Sequence, residues 1–182
     1  TLKVALTLGL PSSTVSAPAI GAISATTAST DISTGGRVAS VKILGSYNGQ
    51  IDADSLGKFA VGGGSVTLNT NGAIDSIVAK GEAGLTLDLS ASKVGPIKID
   101  GKLTRAGLAI GSDWAVTGGI SSLAAGAISD LTVNAKFLGA VSVKGNAKYG
   151  ISGDVTDTRF TLTGNDGTTA KNGLKSLLVK GN

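Results

Sequence analysis

One phrase constrains this chain more than any other: apolar-x-x-apolar-x-apolar-x-Gly. It reads Val38-Ala39-Ser40-Val41-Lys42-Ile43-Leu44-Gly45, returns as Leu56-Gly57-Lys58-Phe59-Ala60-Val61-Gly62-Gly63, and returns again as Ile74-Asp75-Ser76-Ile77-Val78-Ala79-Lys80-Gly81. The interval is 18 residues each time. With the middle apolar residue as marker, the series is Leu6, Ile23, Val41, Phe59, Ile77, Ile97, Leu123, Val141, Phe160 and Leu177. A near-constant period of this length is the mark of a solenoid.

Between the phrases lie further alternating apolar positions, among them Ile51, Val66 and Leu68, Leu85 and Leu87, Leu131 and Val133. Gly, Asn, Asp and Ser separate them, which is strand-and-turn chemistry. No window carries a sustained apolar stripe of helical period. Composition agrees. Aromatic residues are 3% of the 182, against 28 glycines, so a core must be built from small and β-branched side chains repeated many times. The expected fold is an all-β, single-domain parallel β-helix (a β-solenoid) over residues 1–182, right-handed, with about 18 residues per coil and nine to ten coils stacked about 4.8 Å apart. Inward aliphatic residues are expected to stack on their equivalents in the next coil. Glycine is expected to close the corners, by positive φ or by close approach of backbone.

A leucine-rich repeat is the architectural rival, since Leu138-x-x-Val141-x-Val143-x-x-Asn146 fits its strand consensus. Ser46, Gly64, Glu82 and Lys102 stand at the Asn position in other repeats, and the interval is shorter than that family's. At the start, Lys3 followed by an apolar run faintly imitates a secretion signal, but the alternation of Val4, Leu6, Leu8 and Leu10 reads as a strand. No apolar run approaches the roughly 20 residues needed to span a bilayer.

The segments Gly119-Ile120-Ser121-Ser122-Leu123, Asp154-Val155-Thr156-Asp157-Thr158-Arg159-Phe160-Thr161-Leu162-Thr163-Gly164-Asn165 and Leu174-Lys175-Ser176-Leu177-Leu178-Val179-Lys180-Gly181-Asn182 resemble the Gly/Ser/Thr-rich β-solenoid repeats of large bacterial surface proteins of the planctomycete type. Bactofilin filaments are similar in coil length and in their Gly-Val-x-Gly rhythm. The first resemblance implies a structural or adhesive role at a cell surface or outside the cell. The second implies a self-assembling filament subunit, which would place the chain in the cytoplasm. Neither transfers a catalytic residue.

The chain has neither Cys nor His, which removes thiol chemistry, the commonest general base and the commonest transition-metal ligand. Polysaccharide-cleaving β-helices need acidic and basic groups gathered on one face. Here the acids are scattered and Glu82 is the one glutamate, so no enzyme is expected. An ice-binding ladder is not expected either, because Thr67 and Thr70, or Thr161 and Thr163, do not align between repeats. Net charge is +4, but the cations are spread out and the aromatics that would interleave them in a nucleic-acid site are missing.

The irregular place is the 26-residue interval from Ile97 to Leu123, which predicts an inserted loop within 101–119. It holds Lys102, Arg105, Asp113 and the one tryptophan, Trp114. These four are the ligand-binding candidates, with the indole stacking on a sugar ring as in a carbohydrate-binding module. The alternative is that Trp114 covers core. Asp154, Asp157 and Asp166 are the candidates for calcium between coils, and turn-forming roles explain the same residues. No other cofactor is expected. Lys42, Lys98, Lys80, Lys144 and Lys180 alternate with inward positions and are expected to face solvent, where they would oppose unwanted sheet stacking or meet an anionic polymer such as a cell-surface polysaccharide. The chain stops at Asn182 in repeat register, so the expected neighbours are further coils of a longer array or copies of the same chain stacked end to end.

Overall fold

The computed structural model describes residues 3–5, 13–104, 114–164 and 173–181. Strands dominate, in the order β1 (Lys3–Ala5), β2 (Ser13–Ser16), β3 (Ile20–Ala25), β4 (Ala28–Ser33), β5 (Arg37–Ile43) and β6 (Ser46–Ala53). There follow β7 (Ser55–Val61), β8 (Gly63–Thr70), β9 (Ala73–Ala79), β10 (Leu85–Ala91), β11 (Lys93–Thr104), β12 (Trp114–Ser129) and β13 (Thr132–Val143). A 3-10 turn at Ala147–Tyr149 leads to β14 (Val155–Thr156), β15 (Arg159–Leu162) and β16 (Leu174–Val179). No helix among the described residues is long and apolar enough to cross a membrane.

All the strand pairings are parallel, and odd strands pair with odd, even with even, through the first half of the chain. Such skipping follows when the chain winds round an axis and each strand meets its predecessor one lap earlier. The molecule is an all-β parallel solenoid. One wall is β1-β3-β5-β7-β9-β11, continued by the later part of β12, the later part of β13, and β16. A second wall is β2-β4-β6-β8-β10, continued by the first residues of β12, then of β13, and β15. A third wall forms later, where Leu85, Leu103, Ile128 and Val155 pair in turn.

Alternation does the rest. In Ala28–Ser33 every second side chain is buried and the others are exposed, as a strand with one wet face requires. On the first wall Ile23, Val41, Phe59, Ile77, Ile97, Leu123 and Val141 form one inward column, each in register with the next. All seven are buried and belong to one continuous apolar core. The long interval does not break the column, since Ile97 pairs with Leu123 directly.

Phe160 does not belong to this column. It pairs with Val133 on the second wall, and Val141 pairs onward with Leu177. The 3-10 turn and β14 carry the chain round the third wall first, so Val141 to Leu177 is one lap rather than two. At the start, Val4 is the partner of Ile23, and the marker Leu6 lies outside the described residues.

Two of the core's largest side chains, Tyr47 and Phe59, meet each other. Tyr47 is fully buried and lies edge-on to Phe59, ring centroids 6.0 Å apart. Its pairing partner is Gly64, at φ 126°, where any Cβ would land on the Tyr47 carbonyl.

Candidate functional site

Of the four inserted-loop candidates the structure describes Trp114 and Lys102, and these two do not share a solvent-facing platform. Trp114 opens β12 with 0% exposure, and its Nε1–H donates to the Leu87 carbonyl at 2.8 Å. It pairs with Val133 and sits one position before Ala115, the partner of Ser90, so it fills an inward place on the second wall. Of the two roles open to it, the structure places it in core; stacking on a sugar would require the indole to leave the interior. Lys102 is exposed on β11, in register with Ala127. Arg105 and Asp113 lie outside the described residues.

Two of the three calcium candidates are described. Asp154 is exposed and accepts a hydrogen bond from the Ser152 hydroxyl. Asp157 is exposed at φ 45°, the left-handed conformation that Asp tolerates at a turn. Asp166 lies outside the described residues. Among the described residues no three His, Cys, Asp or Glu side chains gather as a metal site would require.

What the solenoid does organise is its outer walls. On the first wall the outward columns are Ser24, Lys42, Ala60, Val78, Lys98, Ala124 and Ser142, and beside it Ala22, Ser40, Lys58, Ser76, Pro96, Ser122, Ala140 and Ser176. These are small side chains interrupted by cations. Arg37 and Asp75 neutralise one another at 2.7 Å. Lys98 lies 3.9 Å from Asp100 but keeps 68% of its side chain exposed. Lys42, Lys58 and Lys93 are exposed. Lys80, Lys144 and Lys180 follow the ends of this wall's strands and are exposed as expected.

The second wall has the opposite character. Its outward positions carry Asp31, Gln50, Thr67 and Asp88 in one column and Ser33, Asp52, Asn69 and Ser90 in the next. Gln50 Nε2 donates to both Asp52 carboxylate oxygens at 2.8 and 2.7 Å, and Asn69 Nδ2 donates to Oδ1 at 3.0 Å. The Gln50 backbone N–H donates to Asp31 Oδ1 at 2.9 Å. Asp52 is thus held by side-chain amides and Asp31 by a backbone N–H. Their field reaches the interior: burial, and then the charges of Asp31 and Asp52, push the Tyr47 hydroxyl well above the usual tyrosine range. An open polar recess lies at the end of this wall, between Asp52, Asp54, Asn69, Thr70, Asn71 and Ser90.

Lys58, Asp31, Asp88 and Gln50 were not singled out by motif or spacing. Each alternates with an inward residue, so outward orientation was readable. Their neighbours were not, because neighbours are set by register between laps.

No protein-family model, no curated protein and no solved structure matches this chain.

Proposed function

We propose that this chain is a non-enzymatic structural or adhesive repeat region of an extracellular or cell-surface protein. In this reading it is a right-handed rod of about 18 residues per coil and nine to ten coils. The observation that supports it is the unbroken parallel ladder from β1 to β16 along one wall. A rod hydrogen-bonded along its axis is stiff, which suits a spacer or an adhesive stalk. Antibodies against the purified chain test it, applied to intact and to permeabilised cells of the organism that encodes it. Labelling of intact cells is expected; labelling after permeabilisation alone overturns the proposal.

A second reading, end-to-end self-assembly of the bactofilin kind, draws on β16. Leu177 is 53% exposed although its column partner Val141 is buried, and Leu178 and Val179 are exposed beside it. Negative-stain electron microscopy separates the two: filaments lengthening along the coil axis favour this second reading.

A further inference from the structure

We propose that the first wall of one copy docks on the second wall of another, side by side with axes parallel, through matched triangles of lysine and aspartate.

On the first wall, Lys42 lies in β5, Lys58 in the next strand β7, and Lys98 in β11, two strands beyond β7. Lys42 and Lys98 share one column, through Ala60 and Val78. Lys58 is in register with Ser40, two residues nearer the strand start. On the second wall, Asp31 lies in β4, Asp52 in the next strand β6, and Asp88 in β10, two strands beyond β6. Asp31 and Asp88 share one column, through Gln50 and Thr67. Asp52 is in register with Ser33, two residues nearer the strand end.

The two triangles therefore have the same height, about 14 Å over three strand spacings, and the same offset, about 7 Å over two residues. Their offsets run in opposite senses along the strand, and facing requires this. Two parallel rods of one hand circulate alike, so their touching walls run antiparallel. A step toward the strand start on one wall and a step toward the strand end on the other then point the same way. All three lysines meet all three aspartates in a single alignment.

Among the described residues, the side chains between the charges are short or uncharged. Between the charges stand Ser40, Ala60, Ser76 and Val78 on one side, and Gln50, Thr67 and Asn69 on the other. A wall about 40 Å tall and about 20 Å wide offers roughly 800 Å² per partner, the size of a standard interface. Charges laid out this way fix register and favour encounter, while contact area holds the pair. Because the two patches differ, the contact is heterologous and propagates into a ring or an open lateral array. It is distinct from end-to-end stacking and does not depend on where in the cell the protein works.

Sedimentation velocity on the wild-type chain tests the proposal. At about 0.05 M salt the mass is expected to rise with protein concentration, and at about 0.5 M salt to fall back toward the monomer. The triple variant Lys42→Glu/Lys58→Glu/Lys98→Glu should stay monomeric, as should Asp31→Lys/Asp52→Lys/Asp88→Lys. An equimolar mixture of the two should associate again, since each supplies the wall the other has lost. If the aspartate variant does not fold, the lysine variant alone suffices: its intact second wall should cap wild-type arrays and lower their mass. A wild-type chain that remains monomeric at low salt overturns the proposal, including one that instead binds polygalacturonate through its lysines. Association that survives the lysine reversals, or that the lysine variant fails to cap, overturns it equally.

Discussion

Arg37 in β5 donates through Nη2 to Asp75 Oδ2 in β9 at 2.7 Å, crossing the intervening strand β7 over Gly57. A Cβ at Gly57 would land on the Ala39 carbonyl oxygen of the lap before and stand 3.1 Å from the Arg37 guanidinium. The same crowding recurs at Gly139 against the Ser121 carbonyl. Gly57→Ala is therefore expected to cost about 1–3 kcal/mol, as overpacking does. Asp75→Asn should cost at most about 1 kcal/mol, since the pair is half-exposed and screened. Urea denaturation followed by circular dichroism ranks the two; equal losses would show that the ion pair, not the backbone approach, is what Gly57 protects.

Trp114 is sealed from water and hydrogen-bonded to Leu87. Its fluorescence is expected to be blue-shifted and resistant to acrylamide in the native state, becoming red-shifted and quenchable on unfolding. Trp114→Phe removes the indole donor and part of the packing, at an expected cost of about 1–3 kcal/mol. Ready quenching in the folded protein would contradict the buried placement.

Tyr47 donates its hydroxyl to the Thr30 carbonyl at 2.7 Å inside the core. Its pKa is raised by burial first and by Asp31 and Asp52 second. The unfolded chain loses this proton near pH 10 while the folded chain keeps it, so Tyr47 lowers stability as pH climbs past about 10 and is neutral to stability below. Titration of tyrosinate absorbance should show one of the two tyrosines resisting ionisation until the fold is lost. Tyr47→Phe should flatten the alkaline fall in stability relative to the wild type, at a cost of about 1 kcal/mol at neutral pH from the lost hydrogen bond.

Ser129 carries a buried hydroxyl with no hydrogen-bond partner, in register between Thr104 and Thr156 on the third wall. Replacing an unsatisfied buried hydroxyl by a methyl removes a desolvation cost. Ser129→Ala is expected to leave the melting temperature unchanged or raise it by a few degrees. A clear loss would mean that the hydroxyl has a role in the ladder that its geometry does not display.

Much of this architecture is legible in the sequence. Ile23, Val41, Phe59, Ile77, Ile97, Leu123 and Val141 declare their shared column by the recurring phrase, because a lap of near-constant length returns equivalent residues to equivalent places and the longer interval before Leu123 is an insertion between phrases. Phe160 misled for a physical reason. Its local pattern is the same as theirs, and alternation distinguishes inside from outside without saying which wall a strand joins. The turn at Ala147–Tyr149 and the short β14 decide that, by lengthening the last lap. Trp114 was ambiguous in the same way, since an inserted segment can present its tryptophan outward or fold it in, and only its pairing with Val133 and its bond to the Leu87 carbonyl settled the direction.

The sequence by itself determined that the chain winds, which residues of the repeated phrase point inward, and that no His or Cys chemistry is available. Those are properties of period, alternation and composition, each carried by residues close together along the chain. Only the tertiary structure decided which outward residues become neighbours: Arg37 with Asp75, Asp52 with Asn69, and the lysine and aspartate triangles on separate walls. Neighbourhood across laps depends on register, and register is set by the packing of the inward columns, not by anything the outward side chains carry.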